Sequence, residues 1–290
     1  MEIPCYPDFS PLAFEHGEAL KLPLASAPDG VSEFTFANLY LFRQRYNYRI
    51  CFADGNPVIL GERESKTFFM TPLPVPAKIL EELINKYDYW KNIPESVLSE
   101  QEELIKSIKI DITEDRDNFD YLYLSEDLAK LSGKKFHKKR NLVNAFMLSY
   151  NSHEVKPLDA DLIPQCFYIL DRWRESKHDE GDYIASKEAL SLYPKLAQEG
   201  AVFYVNERPA GYCFGESTAQ GKIFALHFEK AIEEYKGIYQ YINQRFAEIL
   251  SKKYLYINRE QDLGDEGLRQ AKMTYRPAGF VKKYIGTKLR

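Results

Sequence analysis

Apolar and polar residues in the first half of the chain follow the short period of strands in some stretches and the longer period of helices in others. Two apolar runs, 48–53 and 57–61, flank Asp54-Gly55-Asn56, a sequence typical of a hairpin turn. In chain order the pattern predicts a helix at 33–46, strands at 48–53, 57–61 and 67–70, a helix at 77–87, strands at 108–112 and 121–124, and a helix at 126–144 that is broken near Gly133.

The second half predicts a similar order of elements. A strand-like start at 153–159 is followed by predicted helices at 161–176 and 186–198, strands at 201–205, 210–215 and 222–229, a helix at 237–252 and a strand at 254–257. Residues 206–208 interrupt two apolar runs and predict a second hairpin.

Two local similarities connect the halves. Residues 51–62 (CFADGNPVILGE) resemble residues 203–216 (FYVNERPAGYCFGE), if the second hairpin has two extra residues. The strand-to-helix junction that begins at Tyr121 resembles the one that begins at Tyr254. Because both matches occur in the same order, we expect a duplication with two tandem α/β domains, 1–150 and 151–290.

Composition excludes several classes of protein. The 290 residues carry a formal net charge of −4, so no global basic field favours nucleic acid, and any RNA contact has to be local. The four cysteines are far apart and the five histidines form no paired motif, so we expect neither a disulfide nor a metal site. The opening residues do not resemble a secretory signal and no apolar run approaches a membrane span, which predicts a cytoplasmic protein.

The segment 222–280 carries the clearest chemical pattern. A predicted strand runs into a polar loop with one glycine and then into a helix, and free N–H groups at such a helix start provide a seat for a phosphate or carboxylate. The residues expected to bind the donor there are Phe228, Tyr235, Lys236, Gly237, Ile238 and Tyr239.

This order resembles the Gcn5-related N-acetyltransferase (GNAT) fold, in which a phosphate loop follows a long strand. The closing A-x-x-x-Y-x-x-x-G-F motif of that fold is matched by Ala271, Tyr275, Gly279 and Phe280. The resemblance implies two tandem GNAT-like domains with mixed, mainly antiparallel sheets flanked by helices, and acetyl-CoA or another acyl-CoA as donor. The usual Arg- and Gly-rich loop retains only Lys236 and Gly237 here.

The sequences 258–264 (NREQDLG) and 133–141 (GKKFHKKRN) more specifically resemble the C-terminal domain of phosphatidylglycerol lysyltransferase, and more distantly the Fem-type aminoacyltransferases. This resemblance covers about residues 20–285. It implies transfer of an aminoacyl group from charged tRNA to an amine or hydroxyl acceptor.

Candidate roles follow from the motifs and from position. The resemblance implies that Tyr275 is a general acid, and the alternative is a tyrosine that anchors the last helix. Glu229 and His227 lie on one strand face and are candidates for the general base. Polar residues at a strand exit and aromatic residues near an acidic loop are candidates for substrate binding, namely Trp173, Tyr183, Asn258, Arg259, Glu260 and Asp262.

A local basic run occurs in the first half. Lys134, Lys135, Lys138, Lys139 and Arg140 could contact a tRNA backbone or an anionic lipid surface, and the alternative is an ordinary solvated helix face. We therefore expect an acyltransferase or aminoacyltransferase that uses a CoA thioester or charged tRNA, with a small-molecule, lipid or peptide amine as acceptor. The alternative is a non-catalytic ligand-binding protein derived from a GNAT enzyme, and the sequence leaves the oligomeric state open.

Overall fold

The computed structural model describes residues 2–178 and 181–289 as a mixed α/β fold. The strands are β1 Ser10–Pro11, β2 Arg49–Ala53, β3 Asn56–Arg63, β4 Lys66–Met70, β5 Tyr89–Ile93, β6 Ile110–Glu114, β7 Asp120–Leu124, β8 His153–Pro157, β9 Glu199–Val205, β10 Arg208–Thr218, β11 Ile223–Ala231, β12 Tyr256–Asn258, β13 Gly279–Val281 and β14 Tyr284–Lys288. The helices are α1 Gly17–Ser26, α2 Phe36–Leu41, α3 Ala77–Lys86, α4 Glu95–Glu100, α5 Glu102–Ser107, α6 Ser125–Lys130, α7 His137–Ser149, α8 Ile163–Glu175, α9 Tyr183–Leu192, α10 Ile238–Leu250 and α11 Glu266–Met273.

The strands form two seven-stranded sheets. The first sheet has the order β1-β2-β3-β4-β5-β14-β6 and the second has the order β13-β7-β12-β11-β10-β9-β8. Among these strands, pairing is parallel between β4 and β5 and between β11 and β12, and antiparallel elsewhere. The prediction of mixed, mainly antiparallel sheets flanked by helices is confirmed.

Each sheet contains a strand from the other half of the sequence. The C-terminal strand β14 lies between β5 and β6 of the first sheet, and β7 lies between β13 and β12 of the second. Helices α6 and α7 also pack on the second sheet, where the Phe146 and Tyr241 rings stack at 4.6 Å. A division at 150 therefore does not separate the two sheets, and the boundary 1–150/151–290 stays a prediction.

Most of the predicted elements are present, with shifted ends. The hairpins β2–β3 and β9–β10 are confirmed, and so is the break near Gly133, since α6 ends at Lys130 and α7 begins at His137. The first helix is shorter than expected. It begins after Thr35, whose side chain accepts a hydrogen bond from the Asn38 backbone N–H at 3.2 Å, and it ends at Leu41. No described helix is long and apolar enough to cross a membrane.

The pairing of β10 with β11 requires a glycine at position 215. Gly215 lies where the register of β10 against β11 shifts by one residue. A Cβ at this position would lie 1.9 Å from the backbone oxygen of Ala225. Only glycine allows the two strands to approach this closely.

Candidate functional site

A cavity of about 820 Å³ lies between the two sheets and is lined by charged, polar and aromatic side chains from both halves of the sequence. One wall, which we call the first-half wall, is contributed by Glu33, Asn38, Arg45, Tyr46, Tyr48, Lys91 and Asn92. The other, the second-half wall, is contributed by Trp173, Asp182, Leu226, His227, Phe228, Glu229, Lys230, Arg259, Glu260, Gln261 and Lys272. Six of the residues predicted from the sequence line this cavity: Trp173, His227, Phe228, Glu229, Arg259 and Glu260.

Glu229 and Arg259 form an ion pair on the second-half wall. The Arg259 Nη2 lies 3.1 and 3.2 Å from the two carboxylate oxygens, and the side chains are 17% and 12% exposed. They meet because β11 and β12 are parallel neighbours, so that both residues occur near the same ends of adjacent strands. Burial disfavours the guanidinium charge, but Glu229 outweighs this effect and raises the pKa of Arg259. Arg259 therefore stays positive and holds the Glu229 carboxylate at the cavity surface.

His227 is held between two carboxylates. Its Nδ1 lies 2.7 Å from Glu260 Oε1, and its Nε2 lies 3.1 Å from Glu216 Oε1. Burial disfavours the imidazolium, but the hydrogen bonds to Glu216 and Glu260 outweigh it and raise the pKa to about 10. At neutral pH the ring donates from both nitrogens and has no free lone pair. This arrangement disfavours His227 as a general base, which stays a prediction, and Glu229 is the other candidate.

Lys272 organises the loop that carries Arg259 and Glu260. Its Nζ donates to the backbone oxygens of Arg259, Glu260 and Gln261 at 2.7, 3.1 and 2.5 Å. Burial lowers the pKa of Lys272 to about 8. Glu260 has a left-handed backbone with φ +56°, which the three hydrogen bonds to this loop help to maintain. Sequence reasoning did not identify Lys272, because nothing in the motif indicates that its ammonium group turns back towards the strand exit.

Trp173 lines the cavity beside a lysine and an aspartate. The Lys230 Nζ lies 4.2 Å from the centre of the Trp173 ring and 2.7 Å from both carboxylate oxygens of Asp182. The predicted substrate-binding residue Tyr183 instead donates to Asp171 at 2.8 Å on an exposed surface, outside the cavity. Part of the predicted acidic loop, residues 179–180, lies outside the described residues.

A buried charged network joins the two halves beneath the cavity. Lys283 is fully buried and its Nζ pairs with Glu33 and with Asp120, the latter at 2.7 Å. Burial disfavours its charge, but Asp120 and Glu33 outweigh this and raise the pKa of Lys283. Asn258 donates to Asp120 at 3.0 Å and to the Gly30 backbone oxygen at 2.9 Å. Asn258, predicted to contact substrate, is thus a buried structural residue.

Asp262 is also structural. Its carboxylate is fully buried and accepts hydrogen bonds from Tyr121 Oη at 2.6 Å and from Arg269 Nε at 2.9 Å. Burial alone would raise the pKa of Asp262, but the hydrogen bonds from Arg269 and Tyr121 hold it well below its usual range. The helix start is capped by Asp265, which accepts from the Leu268 N–H at 2.7 Å. The prediction that Asp262 lines the substrate site is corrected accordingly.

The predicted donor loop does not line the cavity. Gly237 is left-handed at φ +89°, and a Cβ there would lie 3.2 Å from the backbone oxygen of Leu142 in α7. The Tyr235 ring packs edge-on against Tyr150 at 5.4 Å. Helix α7 thus packs against Gly237 while Lys236 stays exposed, and a donor seat formed by Lys236, Gly237, Ile238 and Tyr239 stays a prediction.

Tyr275 is likewise separated from the cavity. Its ring is buried, with Lys139 Nζ 4.0 Å from the ring centre on one side and Arg259 Cζ at 5.6 Å. Burial raises the pKa of Tyr275 to about 12. The phenol therefore stays protonated at neutral pH, but its position favours the alternative role of anchoring the end of α11.

Some side chains of the basic run have partners within the chain, and others do not. Lys135 pairs with Asp127 at 2.7 Å, and Arg140 donates to the backbone oxygens of Leu131 and Gly133. Lys134 and Lys138 are exposed and have no carboxylate partner among the described residues. Two of the five cations thus remain available to an outside partner, and whether they bind RNA stays a prediction.

The described residues thus form a mixed α/β protein with two mainly antiparallel sheets and a charged cavity at their junction. The chain belongs to the family described as "Phosphatidylglycerol lysyltransferase, C-terminal", whose model matches residues 25–286. This membership confirms the resemblance seen in the sequence.

Solved structures share the fold. A conserved protein of unknown function from Bacteroides thetaiotaomicron is 28% identical, with a TM-score of 0.87 over 97% of this chain and 99% of that one. L-PGS from Bacillus licheniformis is 14% identical, with a TM-score of 0.66 over 99% and 94%. FemX is 8% identical, with a TM-score of 0.56 over 97% of each chain.

A curated relative, an uncharacterized protein of Mycoplasmoides gallisepticum, is 26% identical over 174 residues. This match covers 57% of the present chain and 54% of the relative. The chain therefore spans about half the length of the curated relative it matches.

Proposed function

We propose that this chain transfers an aminoacyl group from charged tRNA to an amine or hydroxyl acceptor in the cavity between its sheets. The observation that carries the proposal is the Glu229 carboxylate, held at the cavity surface by the buried Arg259 at 3.1 and 3.2 Å. Membership of a family described as a lysyltransferase supports the reaction class.

The transfer requires a general base that takes a proton from the acceptor and returns it to the leaving ribose oxygen. The acceptor nitrogen or oxygen attacks the carbonyl carbon of the aminoacyl ester, and Glu229 takes the proton from the attacking atom. The new bond to the acceptor forms as the bond to the ribose oxygen breaks, and Glu229 returns the proton to that oxygen. Arg259 positions the carboxylate, and Lys272 fixes the loop that supplies Arg259.

The donor is proposed to be tRNA rather than coenzyme A. A coenzyme A pyrophosphate would need the helix start at Gly237, and α7 packs against that position. The exposed Lys134 and Lys138 on the neighbouring surface provide positive charge for an RNA backbone.

The test uses bacterial tRNA charged with a mixture of radiolabelled amino acids, with phosphatidylglycerol vesicles and glycerol as separate acceptors. Labelled product that depends on intact Glu229 supports the proposal. Micromolar binding of acetyl-CoA in calorimetry would instead indicate an acetyltransferase. Binding of charged tRNA without transfer to either acceptor or to water would favour the non-catalytic ligand-binding alternative.

A further inference from the structure

Helix α10 carries one buried amide on an otherwise apolar face. The other buried residues of this helix are hydrophobic or aromatic, whereas Asn243 is 6% exposed and has two polar side-chain atoms. Burying an amide without hydrogen-bond partners is costly, so buried amides in folded proteins are normally hydrogen-bonded. The groups that surround Asn243 therefore indicate what this residue does.

The partner of Asn243 is the guanidinium of Arg259. The side-chain amide of Asn243 faces both Nη atoms of Arg259, and Nη2 lies 3.1 Å from the amide atom that faces it. Because a guanidinium has five N–H donors and no acceptor, this amide atom is the carbonyl oxygen. Asn243 thus accepts hydrogen bonds from both Nη1 and Nη2 of Arg259.

The ion pair with Glu229 does not by itself fix the orientation of Arg259. Both of its contacts, at 3.1 and 3.2 Å, start from the same nitrogen, Nη2. Two parallel N–H bonds from two nitrogens would define the plane of the guanidinium, but contacts from one nitrogen leave the group free to turn about that atom. Asn243 supplies a second point of attachment, because its oxygen also accepts from Nη1.

The other neighbours of Arg259 do not orient it. The centre of the Tyr275 ring lies 5.6 Å from Arg259 Cζ. Lys139 and Lys272 are also close, since burial and then the charge of Arg259 lower the pKa of both lysines. Like charges repel, so these lysines push the guanidinium away. Among the described residues, Glu229 and Asn243 are thus the two whose side chains accept hydrogen bonds from Arg259.

We propose that Asn243 is a positioning residue, which fixes the guanidinium of Arg259 and thereby the Glu229 carboxylate at the cavity surface. Asn243 does not line the cavity, so it acts through Arg259 and does not touch the substrate. A reacting group is effective when the residues behind it are themselves held in place by hydrogen bonds. Asn243 provides this support from α10, a helix that contributes no residue to the cavity lining.

This inference deepens the proposed function, because it rests on Glu229 as the general base. Two substitutions separate the hydrogen bond from the shape of the side chain. Asn243→Leu has a similar branched shape but no acceptor, and we expect it to lower the transfer rate about tenfold or more, since a hydrogen bond to a charged group is lost. Asn243→Asp keeps an oxygen that faces Arg259 and should recover most of the rate, because Arg259, Lys139 and Lys272 favour a nearby carboxylate.

A spectroscopic measurement on the intact chain tests the position of Arg259 without any transfer. In protein that contains isotopically labelled arginine, the side-chain signals of Arg259 are assigned by their absence in Arg259→Lys. Nη groups held by acceptors rotate slowly and give separate proton signals, so we expect separate signals in the wild type and Asn243→Asp and merged signals in Asn243→Leu. Gln244→Leu is the matched control. Its side chain donates to the Ala129 backbone oxygen at 3.1 Å, so this variant loses a hydrogen bond of the same helix and should leave the Arg259 signals and the transfer rate unchanged.

The outcomes distinguish failure of this inference from failure of the transferase proposal. Merged signals in Asn243→Leu, with a slower rate that Asn243→Asp recovers, support the positioning role. Separate signals in Asn243→Leu, merged signals already in the wild type, or an equal loss of rate in Asn243→Leu and Gln244→Leu overturn it. Merged signals in Asn243→Leu without transfer by the wild type support the position of Arg259 and contradict the proposed function. If Asn243→Leu does not fold, Asn243→Ala carries the same test, because it removes the acceptor without adding volume.

Discussion

The loop that begins α10 and the cavity between the sheets differ in how their residues come together. The loop residues Tyr235–Tyr239 are adjacent in sequence and contain the glycine and lysine of a phosphate-binding pattern, but they do not line the cavity, and α7 packs against Gly237. The cavity residues come from strands, helices and loops far apart in sequence, and six of the predicted residues line it. A contiguous motif thus predicts a local conformation, whereas access to ligand depends on what the rest of the chain places above it.

The two walls of the cavity differ in a related way. The second-half wall places each positive side chain beside an acceptor from its own chain, while the first-half wall leaves Lys91 and Arg45 without a carboxylate among the described residues. Paired charges are fixed in position and can orient reacting groups.

The largest change in transfer rate is expected for a substitution in the cavity, compared with a substitution in the loop before α10. Glu229→Gln keeps the size of the side chain but removes the proton acceptor, so we expect the transfer rate to fall about 10²- to 10⁴-fold. Lys236→Ala, which changes an exposed side chain in the loop before α10, is the control, and we expect its rate to stay within about twofold of the wild type, as for a surface substitution away from the site. Rates are compared with the labelled tRNA assay after circular dichroism has shown that both variants fold.

A second prediction concerns the network beneath the cavity. Lys283→Met leaves Asp120 and Glu33 buried without their counter-charge, so the free energy of unfolding should fall by about 3–5 kcal/mol. The neighbouring Lys282→Met removes an exposed cation paired with Glu114 and should change stability little. Equal denaturation midpoints for these two variants would show that the network does not join the halves.

The third prediction concerns pH. The folded pKa of His227 is about 10, above its unfolded value of about 6.5, so its ion pairs with Glu216 and Glu260 contribute full stability below about pH 6.5. This contribution should be lost as pH rises towards 10. Urea unfolding at pH 6.5, 8 and 9.5 should show a smaller decrease for His227→Gln than for the wild type. The same decrease in both proteins would mean that His227 is not charged in the folded state.

The smallest expected effect concerns RNA. Replacing Lys134 and Lys138 together with alanine should reduce the slope of log affinity for tRNA against log salt by about two, since each phosphate contact contributes about one. Lys135→Ala should have a smaller effect, because Lys135 already pairs with Asp127. An unchanged slope in the double variant would support the alternative of a solvated helix face.

The sequence predicted the parts of the site that occur at the ends of strands. Glu229 was identified as a candidate base from its position near the end of a strand, and Arg259 from the polar run that follows the next strand; both line the cavity. Asn258 and Asp262 belong to the same run but point into the protein, which the spacing alone did not distinguish.

Other features depend on long-range pairing and left no local signal. Lys91 and Asn92 line the cavity from a strand, β5, that the pattern did not predict. The insertion of β14 between β5 and β6 joins positions nearly two hundred residues apart, for example Tyr284 with Ile93. Such a pairing is set by the packing of the whole chain, so local periodicity did not indicate it.

The most direct test of the central claim is the rate of aminoacyl transfer from charged tRNA by Glu229→Gln, measured beside the wild type and Lys236→Ala. The account predicts that the wild type and Lys236→Ala form labelled product at similar rates and that Glu229→Gln is slower by at least about a hundredfold. Full activity in Glu229→Gln, or a loss of activity confined to Lys236→Ala, would contradict the assignment of the reaction to the cavity between the sheets.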